Sequence, residues 1–180
     1  MYGSQKAHMK KAYIFIIAAL VVCACQKSPV DRISGSYSFK NGGTLEILGK
    51  LPSVIGTLPG RDTVVNSSLV PESGQMRILP KGSDEIVVTM NITGGNPVIF
   101  NGKLTDDTII LSPVERKVTM FNELNAIDLP IDASVKVQGV GTIYGNTLVF
   151  SMEYNGNFAS GNIPCRILSS NVNCIATRNE

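Results

Sequence analysis

The chain has 180 residues, 43% of them apolar, which suits one domain with a real core, and its formal charge is +2. Three of its lysines, Lys6, Lys10 and Lys11, sit near the start; without residues 1–24 the balance is 13 Lys/Arg against 14 Asp/Glu, a net of −1. A near-neutral body with no basic run lacks the electrostatic footprint of nucleic-acid binding, so that class is excluded.

The first element is a leader. Lys10 and Lys11 precede an uncharged, mostly apolar run of 13 residues, Ala12 to Ala24. As a helix this run would span roughly 20 Å, short of the ~30 Å hydrocarbon core of a bilayer. Its length and flanks are those of a signal peptide. The run ends Val22-Cys23-Ala24-Cys25, which resembles the lipobox of bacterial lipoproteins: an apolar residue, a tolerant position, a small residue, then Cys. The resemblance implies cleavage after residue 24, a diacylglycerol thioether on Cys25 and acylation of its amine. Three acyl chains exceed what stable membrane attachment requires. Gln26 follows, and by resemblance to enterobacterial sorting a non-acidic residue there implies the outer membrane. Residues 25–32 are then read as a short lipid-anchored tether.

From residue 33 to 180 period two dominates and no helical periodicity stands out. Ile86, Val88, Met90 and Ile92 alternate with polar or outward positions. Val114, Val118 and Met120 share a face with Arg116. Val135, Val137 and Ile143 form another face, and Leu148, Phe150, Met152 and Tyr154 a fourth. One apolar and one polar face is the pattern of an antiparallel sheet with water on one side. Asp106-Asp107 and Gly145-Asn146 separate such runs and suit tight hairpins. Residues 102–112 match residues 141–151 at an offset of 39, so the same hairpin is written twice. The stretch 49–75, with three prolines and four glycines, reads as a long loop with a strand near Thr63-Val64-Val65. Asn122 to Asp132 is a second irregular stretch.

Ile33-Ser34-Gly35-Ser36-Tyr37 opens the domain with a Gly-x-aromatic motif ahead of the hairpins. This resembles the calycin-like (lipocalin-like) lipoproteins of Gram-negative gut bacteria, although lipocalins carry Trp where Tyr37 stands. The resemblance implies an all-β antiparallel barrel of about eight strands. A β-sandwich would give the same strand rhythm. In a lipocalin-like barrel the loop at 49–75 lies over the mouth, which makes Leu51, Val54, Ile55 and Leu58 candidate ligand-facing residues.

Chemistry is narrowed by elimination. The sole histidine, His8, lies in the leader, so the mature domain has no imidazole for a triad, general base or metal. Gly139-Val140-Gly141 lies inside a strand pattern and is not a dinucleotide loop. Cys165 and Cys174 remain; if Ser169-Ser170 form a two-residue turn the two cysteines face each other, and an oxidising envelope predicts a disulfide between them. Asp62-Thr63-Val64 and Asp107-Thr108-Ile109 look like bacterial O-glycosylation sites, marking Thr63 and Thr108. The expectation is a non-catalytic, membrane-anchored envelope lipoprotein without cofactor. It either binds a small apolar or glycan ligand in or at the rim of a barrel, or serves as an accessory protein contacting a partner or the cell wall. A deep apolar cavity would favour the first, a filled core with exposed apolar residues the second.

Overall fold

The computed structural model describes residues 28–51, 61–121 and 130–180; the leader, Cys25 and the loop residues Val54, Ile55 and Leu58 lie outside them, and of Leu51 only the backbone is described. A short helix, α1 (Pro29–Ile33), leads into ten strands: β1 (Gly35–Leu51), β2 (Arg61–Leu69), β3 (Glu72–Pro80), β4 (Glu85–Ile92), β5 (Val98–Thr105), β6 (Thr108–Phe121), β7 (Pro130–Tyr144), β8 (Thr147–Asn155), β9 (Asn157–Ser160) and β10 (Ile163–Arg178). All pairings are antiparallel. Eight strands close a ring in the order β1-β3-β4-β5-β6-β7-β8-β10 and back to β1. The expected all-β antiparallel barrel is therefore the fold, and the sandwich alternative falls because the sheet closes on itself.

The ring is built from long strands that change partner midway. The first half of β1 pairs with β3 through Asn41↔Glu72, and the second half pairs with β2 from Thr44↔Ser68 onward. Gly43 sits at this switch with φ 153, and a Cβ there would lie 2.2 Å from the Asn171 carbonyl oxygen, so the two backbones can approach only because the residue is glycine. The outer strand β2 reaches across to β6 at Ser68↔Phe121 and Leu69↔Met120, and β9 lies along the start of β10.

Alternation fills the interior. Ile86, Val88, Met90, Leu148, Phe150 and Met152 are all buried, as their period predicts, and Tyr37, Phe39, Met76, Phe100 and Ile109 join them in one continuous cluster. The two matching hairpins fold alike, with two-residue turns at Asp106-Asp107 and Gly145-Asn146 closed by Thr105↔Thr108 and Tyr144↔Thr147. In each, a glycine faces a bulky inward residue across the strands: Gly102 opposite Leu111 and Gly141 opposite Phe150. A Cβ on Gly102 would meet Leu111 at 3.2 Å, and one on Gly141 would meet the Phe150 ring at 2.4 Å. The bulky side chain lies over the bare backbone of its partner, which is how a small barrel accommodates both curvature and packing.

Two bulges shift the side-chain phase. In β6, Leu111 pairs with Gly139 and Val114 with Val137, so Ser112 and Pro113 together oppose Gln138. Inward residues are odd-numbered before the bulge (Ile109, Leu111) and even-numbered after it (Val118, Met120). In β10 the register slips between Glu46↔Ser169 and Ile47↔Ile167, with Leu168 the extra residue.

Three expectations are corrected here. The tether expected over residues 25–32 overlaps a helix, Pro29–Ile33, with Val30 and Ile33 buried. Ser28 caps it and Asp31 answers in a reciprocal capping box, so ordered structure includes the last residues of the expected tether. The stretch 49–75, expected to be a long loop crossed by one strand near Thr63-Val64-Val65, does carry that strand as β2, but it also holds the end of β1 and the start of β3, so residues 52–60 and Val70-Pro71 are what lies between described strands. Finally, Ser169-Ser170 is not a turn. β10 runs straight through it, placing Cys165 and Cys174 nine residues apart on one strand, on the order of 30 Å at 3.3 Å per residue. Both are buried free thiols, so the predicted disulfide is not made.

The mature protein, purified without reductant, should therefore show two thiols reactive to Ellman's reagent in denaturant and almost none when native. Absence of thiol in the denatured sample would mean that an oxidised form exists after all.

Candidate functional site

Inward-facing positions on four strands are polar at one level of the barrel: Asn41 on β1, Glu72 on β3, Arg116 on β6 and Tyr154 on β8. Each occupies an inward phase for a local reason. Arg116 points in because the Ser112-Pro113 bulge moves even residues to the inside, which the shared face with Val114, Val118 and Met120 anticipated. Glu72 continues the inward series of Met76 and Ile78, and Tyr154 that of Phe150 and Met152.

These side chains form a chain of contacts across the barrel. Arg116 Nη2 donates to Glu72 Oε1 in a short ion pair. Asn41 Nδ2 donates to Glu72 Oε2 at 3.0 Å and to Tyr154 Oη at 3.1 Å. The Arg116 side chain is 7% exposed and that of Glu72 20%. Asn41 Oδ1 is buried and has no partner among the described residues. An unmade bond of this kind costs about 1–3 kcal/mol, so the layer retains polar capacity that the fold does not use. Beside it, burial pushes the Cys174 thiol up to about 12, with the Glu72 carboxylate adding to the rise. Burial likewise raises Tyr154 above its ordinary value, against the opposing hydrogen bond from Asn41.

The polar layer opens through the barrel wall. β5 and β6 pair only from Thr105↔Thr108 to Gly102↔Leu111. Beyond that fork they separate, leaving a cleft of about 680 Å³. Glu72 and Arg116 form part of its lining, Ile92, Val98, Ile99 and Val114 give it an apolar side, and Glu115, Lys117 and Asp132 lie at its margin. Arg116 spends Nη2 on Glu72 and Nε on the Lys117 carbonyl oxygen at 3.4 Å. Its Nη1 has no partner among the described residues. A nearly buried guanidinium with donors to spare is suited to a carboxylate, an amide carbonyl or a hydroxyl.

The remaining sequence-marked residues lie elsewhere. Thr63, on β2, and Thr108, at the start of β6, are half-buried. Asp106 and Asp107 form a hairpin turn, with Asp106 at φ 53 and Asp107 3.9 Å from Arg32. Among the described residues no cluster of His, Cys, Asp and Glu is arranged to hold a metal. The Gly-x-aromatic motif serves the base of the barrel: Tyr37 Oη donates to the Ile33 carbonyl at 2.6 Å, and the Arg178 guanidinium lies 5.4 Å from the Tyr37 ring centre. Arg178 also donates to the carbonyls of Arg32 and Ser34, capping the open end of α1 from the last strand.

No family model matches the chain, and no curated protein matches it. Two solved structures are similar to it at low identity. One is that of EF1p2_mFAP2b bound to DFHBI, 14% identical with a TM-score of 0.41, the match covering 84% of this chain and 98% of that one. The other is a redesigned β-barrel, b11L5F_LGL, 17% identical with a TM-score of 0.30, covering 77% and 90%. Neither likeness bears on what this chain binds.

Two measurements test the site. Arg116→Met strands the Glu72 carboxylate inside the barrel and should lower unfolding free energy in urea by about 2–4 kcal/mol, whereas Arg116→Met with Glu72→Gln should recover most of that loss. Equal damage in the single and double variants would show that the pair is not coupled. Stability should also fall in alkali. Tyr37, Tyr154 and Cys174 all hold their protons more tightly folded than unfolded, chiefly because they are buried. Above the ordinary values of 9.0 for Cys and 10.0 for Tyr the unfolded chain releases protons that the folded chain keeps. Stability is therefore full below about pH 9 and declines from there upward. A flat melting temperature between pH 8 and 11 would contradict this.

Proposed function

We propose that the protein is a lipid-anchored, non-catalytic binding module of the cell envelope, and that its site is the cleft in the barrel wall. The anchor rests on the lipobox-like Val22-Cys23-Ala24-Cys25 and the short apolar run before it. The kinship with calycin-like lipoproteins of gut bacteria rests on the Gly-x-aromatic motif and on a ring of eight strands. The observation that carries the binding role is the Arg116–Glu72–Asn41–Tyr154 layer. A fold gains no obvious stability from a buried ion pair and an unpartnered amide oxygen, so their opening onto a cleft favours a ligand with hydrogen-bonding groups. An apolar ligand in the barrel's centre is disfavoured, because Phe100, Phe150, Met90 and Met152 occupy that space. The proposed ligand class is accordingly polar, a glycan or a peptide.

One observation favours the accessory reading. Ile110 pairs with Val140 and Val149 with Ile175 on the outer face, and Ile110, Val140 and Ile175 are each about half exposed (48%, 50% and 50%). Exposed apolar pairs of this kind would suit contact with a partner protein.

Protein purified from membranes should carry acyl groups on Cys25 by intact mass. The delipidated Cys25→Ala domain, screened by thermal shift against soluble oligosaccharides and random peptides, should be stabilised by at least one of them. A ligand at 100 times its Kd adds about 2.7 kcal/mol. The shift should vanish in Arg116→Lys. An unmodified native N-terminus downstream of Cys25 would remove the anchor, and a shift indifferent to Arg116→Lys would remove the site.

A further inference from the structure

We infer that the wall cleft binds an extended polypeptide segment, which adds as a strand along the free edge of β6. This rests on the proposal that the cleft is the binding site, and it names the ligand class. The argument comes from where the backbone groups point. In an antiparallel pair, N–H and C=O groups of alternate residues face opposite sides of the strand. The Val70 N–H donates to the Thr119 carbonyl, so the groups of Thr119 face away from β7. Alternation sends those of Lys117 and Glu115 the same way, into the cleft. The bond from Arg116 Nε to the Lys117 carbonyl agrees with that direction. Across the fork, the Leu104 N–H donates to the Asp84 carbonyl on the β4 side. Alternation therefore turns the groups of Ile99 toward the cleft as well. Among the described residues neither Glu115 nor Ile99 has a strand partner on that side.

The cleft thus offers backbone donors and acceptors repeating every second residue, about 6.8 Å apart. Only another extended backbone repeats at that spacing; a sugar or a compact ion does not. Alternate side chains of the incoming strand would point inward, over Arg116 and Glu72, and outward, past Ile99, which is 58% exposed at the lip. The inward position suits an amide or carboxylate, which can accept from Arg116 Nη1. The outward position suits an apolar residue. Strand addition of this type derives affinity from the main chain and selectivity from alternate side chains.

The test uses the mature Cys25→Ala protein and a phage-displayed library of random nonapeptides. Selected peptides should bind, and N-methylation of alternate backbone nitrogens should weaken binding at least tenfold, while methylation of the intervening ones should not. Hydrogen exchange should show the Glu115 and Lys117 amides slowed at least tenfold by a bound peptide. Glu115→Pro removes one edge donor that the barrel does not use, and it should keep the melting temperature while losing peptide binding. Peptides that bind with no N-methyl periodicity, or that leave the Glu115 and Lys117 amides unprotected, would overturn strand addition while the cleft could still take a polar small molecule. An oligosaccharide that requires Arg116, with no peptide enriched, would have the same meaning. Amides at 115 and 117 already protected without peptide would show the edge occupied by the chain itself and would also overturn it.

Discussion

The placement of two residues, Ser112 and Pro113, opposite one on β7 governs most of what distinguishes this barrel. Proline has no N–H to offer the neighbouring strand, so the β5–β6 ladder stops where it does. The extra residue also reverses the phase of everything that follows in β6. Without it Arg116 would face water and Glu115 and Lys117 would face the core. With it, the barrel acquires a charged inward side chain at the point where its wall parts. The opening and the charge that faces it share a single local cause.

The polar layer divides the interior into two regions. Toward α1 the space is filled by aromatic and aliphatic side chains and is clamped by the Tyr37–Arg178 contact between the first and last strands. Toward the other end, β2 and β9 supplement the ring, and Leu45, Ile47, Val118, Met120 and Ile167 fill the interior beside the smaller Ala133 and Cys165. A buried ion pair adds little net stability by itself, since desolvation offsets most of its attraction. Apolar packing on both sides of the layer supplies the stability, and that lets the layer carry polar groups that stability alone would not select.

How much of this was legible in the sequence depends on whether a strand states its own phase. The runs at 86–92, 114–120, 135–143 and 148–154 alternate cleanly because one face is buried along their length, and their inward residues were identifiable one by one. β2 alternates in burial but not in apolar letters, because it lies outside the ring and buries only Ser67 and Leu69 near its end, so only its middle, Thr63-Val64-Val65, reads as a strand among the flanking prolines and glycines. Missing β3's beginning concealed Glu72, and with it the partner of Arg116, whose inward face was visible. The failure at Ser169-Ser170-Asn171 is of another kind. A bulge and a hairpin turn both interrupt alternation with small polar residues and exposed neighbours, and they differ only in whether the chain reverses. That distinction lies in the partner strand, β1, and not in the local letters.

Each hairpin's glycine and the bulky residue facing it share one volume: Gly102 with Leu111, Gly141 with Phe150. Neither member is constrained alone, since the space would be filled as well if the large side chain stood on the opposite strand. Related chains should therefore show exchanges at both positions together, with their summed side-chain volume nearly constant while each column taken singly looks variable. A search that scores positions independently discounts such sites, so a search weighted on paired volumes is the better instrument for finding distant relatives of this barrel.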